Sequence, residues 1–395
     1  ISHLENHRQV PINGEVEREL PTPESAELLA IVRQLAREEL TPMAAQYEAE
    51  GRFPREVFSK LGQIGLLGLP YSEEYGGAGQ PFTVYLQVIE ELASAWLSVA
   101  LGVSVHTLSA HALANFGTED QKSALLPDLI GGELLGAYCL SEPGSGSDAA
   151  ALVTRAASTD AGFVLTGTKA WITHGGVADF YTVMARTGDH RTRGISCFLV
   201  PGDAVGLTAA APENKMGMRG SRTAQVILDG VEIGSDRLIG EQGEGFTIAM
   251  AALDAGRLGI AACAVGVAQA ALNEAVAYAN TRQQFGKTIG EFQGISFMIA
   301  DMATSVEAAR SLYLTAARRK DAGLPYSTHA AMAKLFATDM CMKVTTDAVQ
   351  ILGGAGYVQD FPAERYFREA KVLQIVEGTN QVQRLVIGRN VLADA

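Results

Sequence analysis

The spacing of apolar residues divides the chain into three stretches. Over residues 23–132 they recur three and four apart, as in Leu28, Leu29, Ile31, Val32 and Leu35, then Leu61, Ile64 and Leu67. That spacing predicts helices with one stripe turned to a core, punctuated at Gly76-Gly77 and Gly131-Gly132. Over residues 134–239 the texture changes. Short runs rich in Val, Ile, Phe, Tyr and Thr (GFVLTGTKAWIT, FYTVMAR, ISCFLV, AQVILDGVEI) alternate with Gly, Asp and Pro turns. These are strand signals. No long helical pattern intervenes, which favours an antiparallel sheet or barrel over a parallel sheet. After Gly245, helical spacing returns over 246–282, 292–322 and 327–352. The exposed faces there are lightly charged, and small residues abound at Ala261, Ala262, Ala268, Ala270 and Ala271. Such helices pack as a bundle and bury a second face against another subunit. The expected layout is an N-terminal helical domain (1–132), a middle β domain (133–241) and a C-terminal helical bundle (242–395).

Composition narrows the function. A chain of 395 residues exceeds one compact core, and 47% hydrophobic with 19% charged residues is a folded, well-buried profile. Thirty-one basic against 44 acidic residues give a net charge of -13, which argues against a nucleic-acid grip based on counterion release. Cys139, Cys197, Cys263 and Cys341 are far apart and form no CxxC pair. A disulfide framework or zinc ribbon is therefore not expected, and a reducing compartment is. The seven histidines show no ligand spacing, and His106 and His111 read as ordinary helix residues. No metal site is expected. The start ISHLENHRQV has no signal-peptide pattern, and the longest apolar run, 258–268, falls short of the ~20 residues of a membrane span. The expected place is the cytoplasm, with the mitochondrial matrix as the alternative.

Three common nucleotide or hydrolase motifs are absent. Gly286-Lys287-Thr288 resembles the end of a P-loop, but Thr281 stands where that motif requires glycine. Neither GxGxxG nor GxSxG occurs in a suitable context.

Other segments carry chemistry. AYCLSEPGSGSDAA (137–150) is a strand running into a Gly/Ser turn, offering N–H groups and the hydroxyls of Ser141, Ser145 and Ser147 to a phosphate or ring edge. A plain surface turn has the same composition. In KAWITHGG (169–176), Trp171 and Thr173 have the spacing that puts two strand residues on one face toward a ligand, or toward a core. In TRQQFGKTIGEFQ (281–293), Arg282 can reach a phosphate, Phe285 cover an adenine and Gln293 bond a sugar. A helix end with a glycine stop reads the same way. Near the C-terminus, Gly353-Gly354 permits close backbone approach. Glu377 follows Ile375 and Val376 and precedes Gly378-Thr379. An acid among apolar neighbours has its pKa raised by burial, as suits a general base acting on carbon. The alternative is a surface Glu before a helix that Thr379 caps.

Together these segments resemble the acyl-CoA dehydrogenase family, most nearly its short-chain and branched-chain members. SEPGSGSD (141–148) and the 350–369 run with Gly353, Gly354, Gly356, Asp360 and Arg365 match its two signatures. WIT (171–173), LDAGR (253–257), RQQFG (282–286) and IVEGTNQVQR (375–384) fall in family order. The likeness runs from about residue 24 to the C-terminus. It implies an α+β multidomain fold: an N-terminal α-helical domain, a middle antiparallel β-barrel domain and a C-terminal four-helix bundle. It also implies FAD as cofactor. Tyr138, Leu140, Ser141, Ser147, Trp171 and Thr173 would contact FAD from the β domain, with Thr173 near flavin N5. Arg282, Phe285, Gln293, Gln350, Gly353, Gly354, Thr379 and Gln381 would hold pyrophosphate and adenosine across a subunit boundary. Ser147, Asp254, Arg257 and Gly378 would line the acyl-CoA cleft, with Leu101, Ser104, Val105 and Leu108 near the pocket floor. Glu377 would be the base, its backbone N–H and a flavin ribityl hydroxyl stabilising the enolate oxygen. Some branched-chain relatives carry the base at the position of Gly256, where glycine cannot serve. Many relatives have Tyr before the base; this chain has Val376. The implied partners are an acyl-CoA substrate and an electron-transfer flavoprotein, and the implied assembly is a homotetramer (dimer of dimers). Other readings on the same fold are an acyl-CoA oxidase, a carrier-protein thioester dehydrogenase or an inactive flavoprotein subunit.

Overall fold

The computed structural model describes residues 18–393; the outermost parts of the two expected terminal domains lie outside the described residues. The first helix begins where its sequence provides a cap. The Thr22 hydroxyl accepts from Ser25 N–H at 3.2 Å, and Pro23 takes a position needing no donor. Helix α1 (Pro23–Leu35) continues through a wide turn at Ala36–Leu40 into α2 (Thr41–Glu50). Next come α3 (Arg55–Gln63), α4 (Phe82–Ala95), α5 (Leu97–Phe116) and α6 (Glu119–Ile130). A reciprocal Thr118–Gln121 capping box opens α6. Leu29, Val32, Leu35, Leu61 and Leu67 are buried as the spacing predicts, whereas Ile31 and Ile64 face solvent.

Eight strands follow: β1 (Gly136–Cys139), β2 (Arg155–Ser158), β3 (Gly162–Thr173), β4 (Phe180–Arg186), β5 (Ile195–Pro201), β6 (Leu207–Ala209), β7 (Thr223–Gly234) and β8 (Leu238–Ile239). They form one sheet in the order β6-β7-β3-β2-β4-β5-β8, with β1 beside β4. Most pairs are antiparallel, as expected. The exception is β1, which runs parallel to β4 from Gly136↔Phe180 to Cys139↔Val183, and β2 meets β4 in parallel at Arg155↔Arg186. The excursion through β2 and β3 supplies the long connection that a parallel pair needs. Edge strands β6 and β8 do not pair with each other among the described residues, so hydrogen bonds do not close the sheet into a barrel. Alternation sorts the faces. Phe180, Met184, Ile195, Cys197 and Leu199 pack with Leu113, Leu129 and Ile248 of neighbouring helices, while Tyr181, Val183, Phe198 and Val200 fill the sheet's own core.

The last region begins with α7 (Gly245–Thr281), a small hairpin of β9 (Gln283–Gln284) and β10 (Lys287–Thr288), α8 (Gln293–Asp321) and α9 (Ser327–Leu352). It ends with α10 (Gly354–Tyr357), α11 (Ala363–Leu373) and α12 (Asn380–Ala393). One hydrophobic core runs through α1–α5 and on into α7, α8, α9 and α11. By length and composition α5 and α7 are apolar enough to cross a membrane, although the longest uninterrupted apolar run, 258–268 within α7, is shorter than a span. Their apolar windows are 89% and 78% buried within the protein, as core helices are. All four cysteines are free and buried.

Candidate active site

The turn between α11 and α12 builds the site. Ile375 and Val376 N–H bond back to Val372 O, ending α11, and Asn380 N–H bonds to Gln374 O at 3.0 Å. The Thr379 hydroxyl accepts from Val382 N–H at 3.3 Å, so it does cap α12. Between these anchors Glu377 sits at φ 53°, a left-handed conformation uncommon outside glycine, and Gly378 at φ 89°. Among the described residues the Glu377 N–H makes no hydrogen bond. Both carboxylate oxygens are buried with no hydrogen-bond partner. Burial pushes this carboxyl up to about 7, opposed by the cations of Lys334 and Arg257.

Every region contributes a wall. From α7, Gly256 lies so close that a Cβ there would stand 2.0 Å from Glu377 Oε2. The position of the rival base thus abuts the Glu377 carboxylate itself. Arg257 is buried and ion-paired to Asp254, whose Oδ1 also accepts from Ser327 Oγ at 2.9 Å. The structure therefore spends Arg257 and Asp254 first on each other. From α9, the buried Lys334 donates to Gly378 O at 2.9 Å and to Asn380 Oδ1 at 2.8 Å. Tyr85 of α4 and Tyr138 of β1 lie within electrostatic reach of Glu377, and burial raises both phenols first of all. A cavity of about 210 Å³ runs from Gly256 along Leu108, Thr107, Ser104, Tyr85 and Tyr71. Ser104 and Leu108 of the expected pocket floor line it; Leu101 and Val105 belong to the core. Val376 is partly buried against that core.

The β-domain residues form a second group. In the 141–148 turn, Glu142 and Ser145 exchange backbone bonds at 2.9 and 3.0 Å, and Ser145 Oγ donates to Asp148 O. Ser145 is therefore structural, whereas Ser141 and Ser147 keep free hydroxyls among the described residues. Beneath the turn, Lys169 Nζ pairs with Glu142 at 2.8 Å in full burial. Trp171 departs from plain strand spacing. The register jumps from Lys169↔Val226 to Ile172↔Ala224, a bulge that leaves Trp171 at φ 61° and 65% exposed, with Thr173 half-buried. Leu140 is buried; its carbonyl accepts from Lys169. Arg282, Phe285, Gln293, Gln350, Gly353, Gly354 and Gln381 form a third, exposed group. No hydrogen bond among the described residues joins it to the strands or to the Glu377 side chain. Phe285 is 94% exposed at φ 52°, touching Phe292 edge-on.

Known proteins account for this combination. Models of the acyl-CoA dehydrogenase N-terminal, middle and C-terminal domains match residues 22–133, 137–231 and 243–392. The chain belongs to the acyl-CoA dehydrogenase family. It is 44% identical over 359 residues to the short-chain specific acyl-CoA dehydrogenase of Clostridium acetobutylicum, covering 90% of this chain and 95% of that one. It is 43% identical to the short-chain specific mitochondrial enzyme of Bos taurus, covering 94% and 90%. The solved butyryl-CoA dehydrogenase of Megasphaera elsdenii superposes with a TM-score of 0.93 at 40% identity, covering 95% of this chain and all of that one. Acyl-CoA dehydrogenase activity, an oxidoreductase activity in fatty acid metabolism, follows from that membership.

The family is FAD-dependent, and the residues present fit FAD. An indole turned outward at a bulge, with unbonded hydroxyls among the described residues at Ser141, Ser147 and Thr173 of the same domain, suits a flavin ring edge. Sequence reasoning passed over Lys334, Tyr85, Thr107 and Tyr71. Lys334 left a signal: it shares a helix face with the core residues Ala330, Ala337 and Cys341. The other three look like ordinary core and rim positions.

Proposed function

We propose that Glu377 is the base that removes the proton alpha to the thioester carbonyl of an acyl-CoA. The observation that carries this is a buried, unpartnered carboxylate whose ionisation falls near neutrality, packed against Gly256 at the wall of a cavity of about 210 Å³. A base with pKa near the working pH combines ionisation with proton affinity. The same residue's free N–H is a donor for the thioester oxygen as negative charge develops there. Tyr138, Leu140, Ser141, Ser147, Trp171 and Thr173 would hold the FAD ring. Arg282, Phe285, Gln293, Gln350, Gly353, Gly354, Thr379 and Gln381 would hold the dinucleotide of a neighbouring subunit's FAD. When bound, FAD supplies the acceptor for the hydrogen that leaves the beta carbon. Ser147, Asp254, Arg257 and Gly378 would border the CoA thioester.

The same proposal includes three domains over 1–132, 133–241 and 242–395, a homotetramer, and electron-transfer flavoprotein as acceptor. Exposed Phe297, Phe336, Tyr357, Leu385 and Leu392 on the helical region favour an assembly. Four unpaired thiols favour a reducing compartment such as the cytoplasm. The test is anaerobic mixing of flavin-loaded protein with a panel of acyl-CoA thioesters. The parent is expected to bleach with short acyl chains, whereas Glu377→Gln keeps its flavin and bleaches with none. Normal bleaching of that variant overturns the base assignment.

A further inference from the structure

We propose that Lys334 is a positioning residue for this reaction: its buried ammonium holds the Glu377–Gly378 turn and supplies the charge that keeps the base ionised. The inference rests on Glu377 being the base. Lys334 lies two turns into α9 with no solvent exposure, and its side chain ends at Gly378 O (2.9 Å) and Asn380 Oδ1 (2.8 Å). Both ends of the strained turn are thereby tied to one helix. Asn380 is fixed in turn by Thr338 (2.9 Å) and Asp339 (2.6 Å).

Hydrogen bonding alone does not explain a lysine here. The Gly378 carbonyl already accepts from Gln383 Nε2 at 2.8 Å, so a neutral side chain at 334 would leave it satisfied. A buried ammonium carries a desolvation cost that an apolar residue of the same length would avoid. What only the lysine adds is charge. Its direct partners are neutral oxygens, so that charge is not cancelled on the spot. The other nearby cation, Arg257, is ion-paired to Asp254.

The remaining titratable groups around Glu377 are Tyr85 from α4, Tyr138 from β1 and Cys263 from α7. Burial holds all three neutral. Burial lowers Lys334 to about 8; Glu377 and, less strongly, Asp339 oppose that lowering while Arg257 adds to it, so the ammonium stays charged at neutral pH. Lys334 is accordingly the foremost influence opposing the effect of burial on Glu377.

The sign follows directly. Without the ammonium, burial acts with less opposition, the Glu377 carboxyl moves up, and less of it is ionised at neutral pH. The test compares Lys334→Met, Lys334→Gln and Lys334→Arg in flavin-loaded protein, reading kcat and KM against pH. The expected result is that Met and Gln both shift the acid limb of kcat upward by about one pH unit, roughly a tenfold loss on that limb. KM should move little, and Arg should restore the limb. Gln retains a donor for the turn, so it keeps more of the plateau rate than Met. If the Met variant does not fold, Gln carries the test. A second readout needs no turnover: an infrared titration of the carboxyl band missing from Glu377→Gln should show the same shift. A folded Lys334→Gln variant with an unmoved limb and band overturns this inference alone. Normal bleaching by Glu377→Gln removes the base assignment and this inference with it.

Discussion

At position 256 the absence of a side chain has a direct geometric use. A methyl group there would meet Glu377 Oε2 at 2.0 Å and Cδ at 2.9 Å, with Leu108 at 3.3 Å on the other side. The carboxylate is the part that can yield, so Gly256→Ala should swing it out of line while the helix itself gains from alanine. The expected outcome is a fall in kcat of about a hundredfold with unchanged or higher thermal stability, read by steady-state kinetics and a melting curve. A variant with full kcat would mean that the carboxylate works from another position. Glu377 and Gly256 were legible in the sequence because each stands inside a motif. Trp171 was legible as a candidate but not in its pose, since a bulge depends on the partner strand β7 and leaves no mark within KAWIT. Lys334 was visible only as a charge on an apolar helix face. Such a residue gains meaning once the opposing turn is known.

One helix and two strands meet at β1. Gly136 N–H donates to His106 Nδ1 of α5 at 3.0 Å, and Gly136 O accepts from His174 Nδ1, just beyond β3, at 2.8 Å. The backbone donor and acceptor assign opposite tautomers to the two rings, both neutral. Burial lowers His106 to about 3 and His174 to about 4. Because the folded values lie below the unfolded 6.5, unfolded chains bind more protons as acidity rises. This stabilisation is complete above pH 6.5 and is lost as pH falls toward about 4. The loss approaches about 2.7 kcal/mol per pH unit for two protons. In urea unfolding the parent should lose stability more steeply between pH 7 and 4 than His106→Gln, and equal slopes would refute a buried neutral His106. Element positions were largely readable: α9 and β3 occupy the stretches that spacing marked out. The parallel pairing of β1 was not, because its partner lies some forty residues on and no turn chemistry announces it.

Across the whole molecule, the first and last helical regions share one interior. Glu90 of α4 takes Arg310 of α8 at 3.0 Å, Arg18 at 2.8 Å and the Tyr313 hydroxyl at 2.5 Å, all out of water. Asp321, at the end of α8, accepts from Phe82 N–H at 2.7 Å and Thr83 N–H at 3.0 Å, capping the start of α4. Glu90→Ala removes the carboxylate that the two buried arginines share, leaving Arg18 only Glu91 and Arg310 only Glu307, and should cost about 3 kcal/mol, read as a lowered urea midpoint. A loss below about 1 kcal/mol would show that water reaches the arginines. This union was not legible, since apolar periodicity says that a helix has a buried face but not which helix covers it.

The shared interior also bears on how the chain is made. Helix α5 is apolar on almost every side, and much of its cover comes from α7, which follows only after the entire sheet. At ordinary synthesis rates of about 5–20 residues per second, the roughly 130 intervening residues take on the order of ten seconds to emerge. During that interval the sheet can fold as a unit while α4 and α5 wait with their apolar surfaces uncovered. The nascent chain is therefore most exposed to aggregation, and most in need of a chaperone, midway through its synthesis.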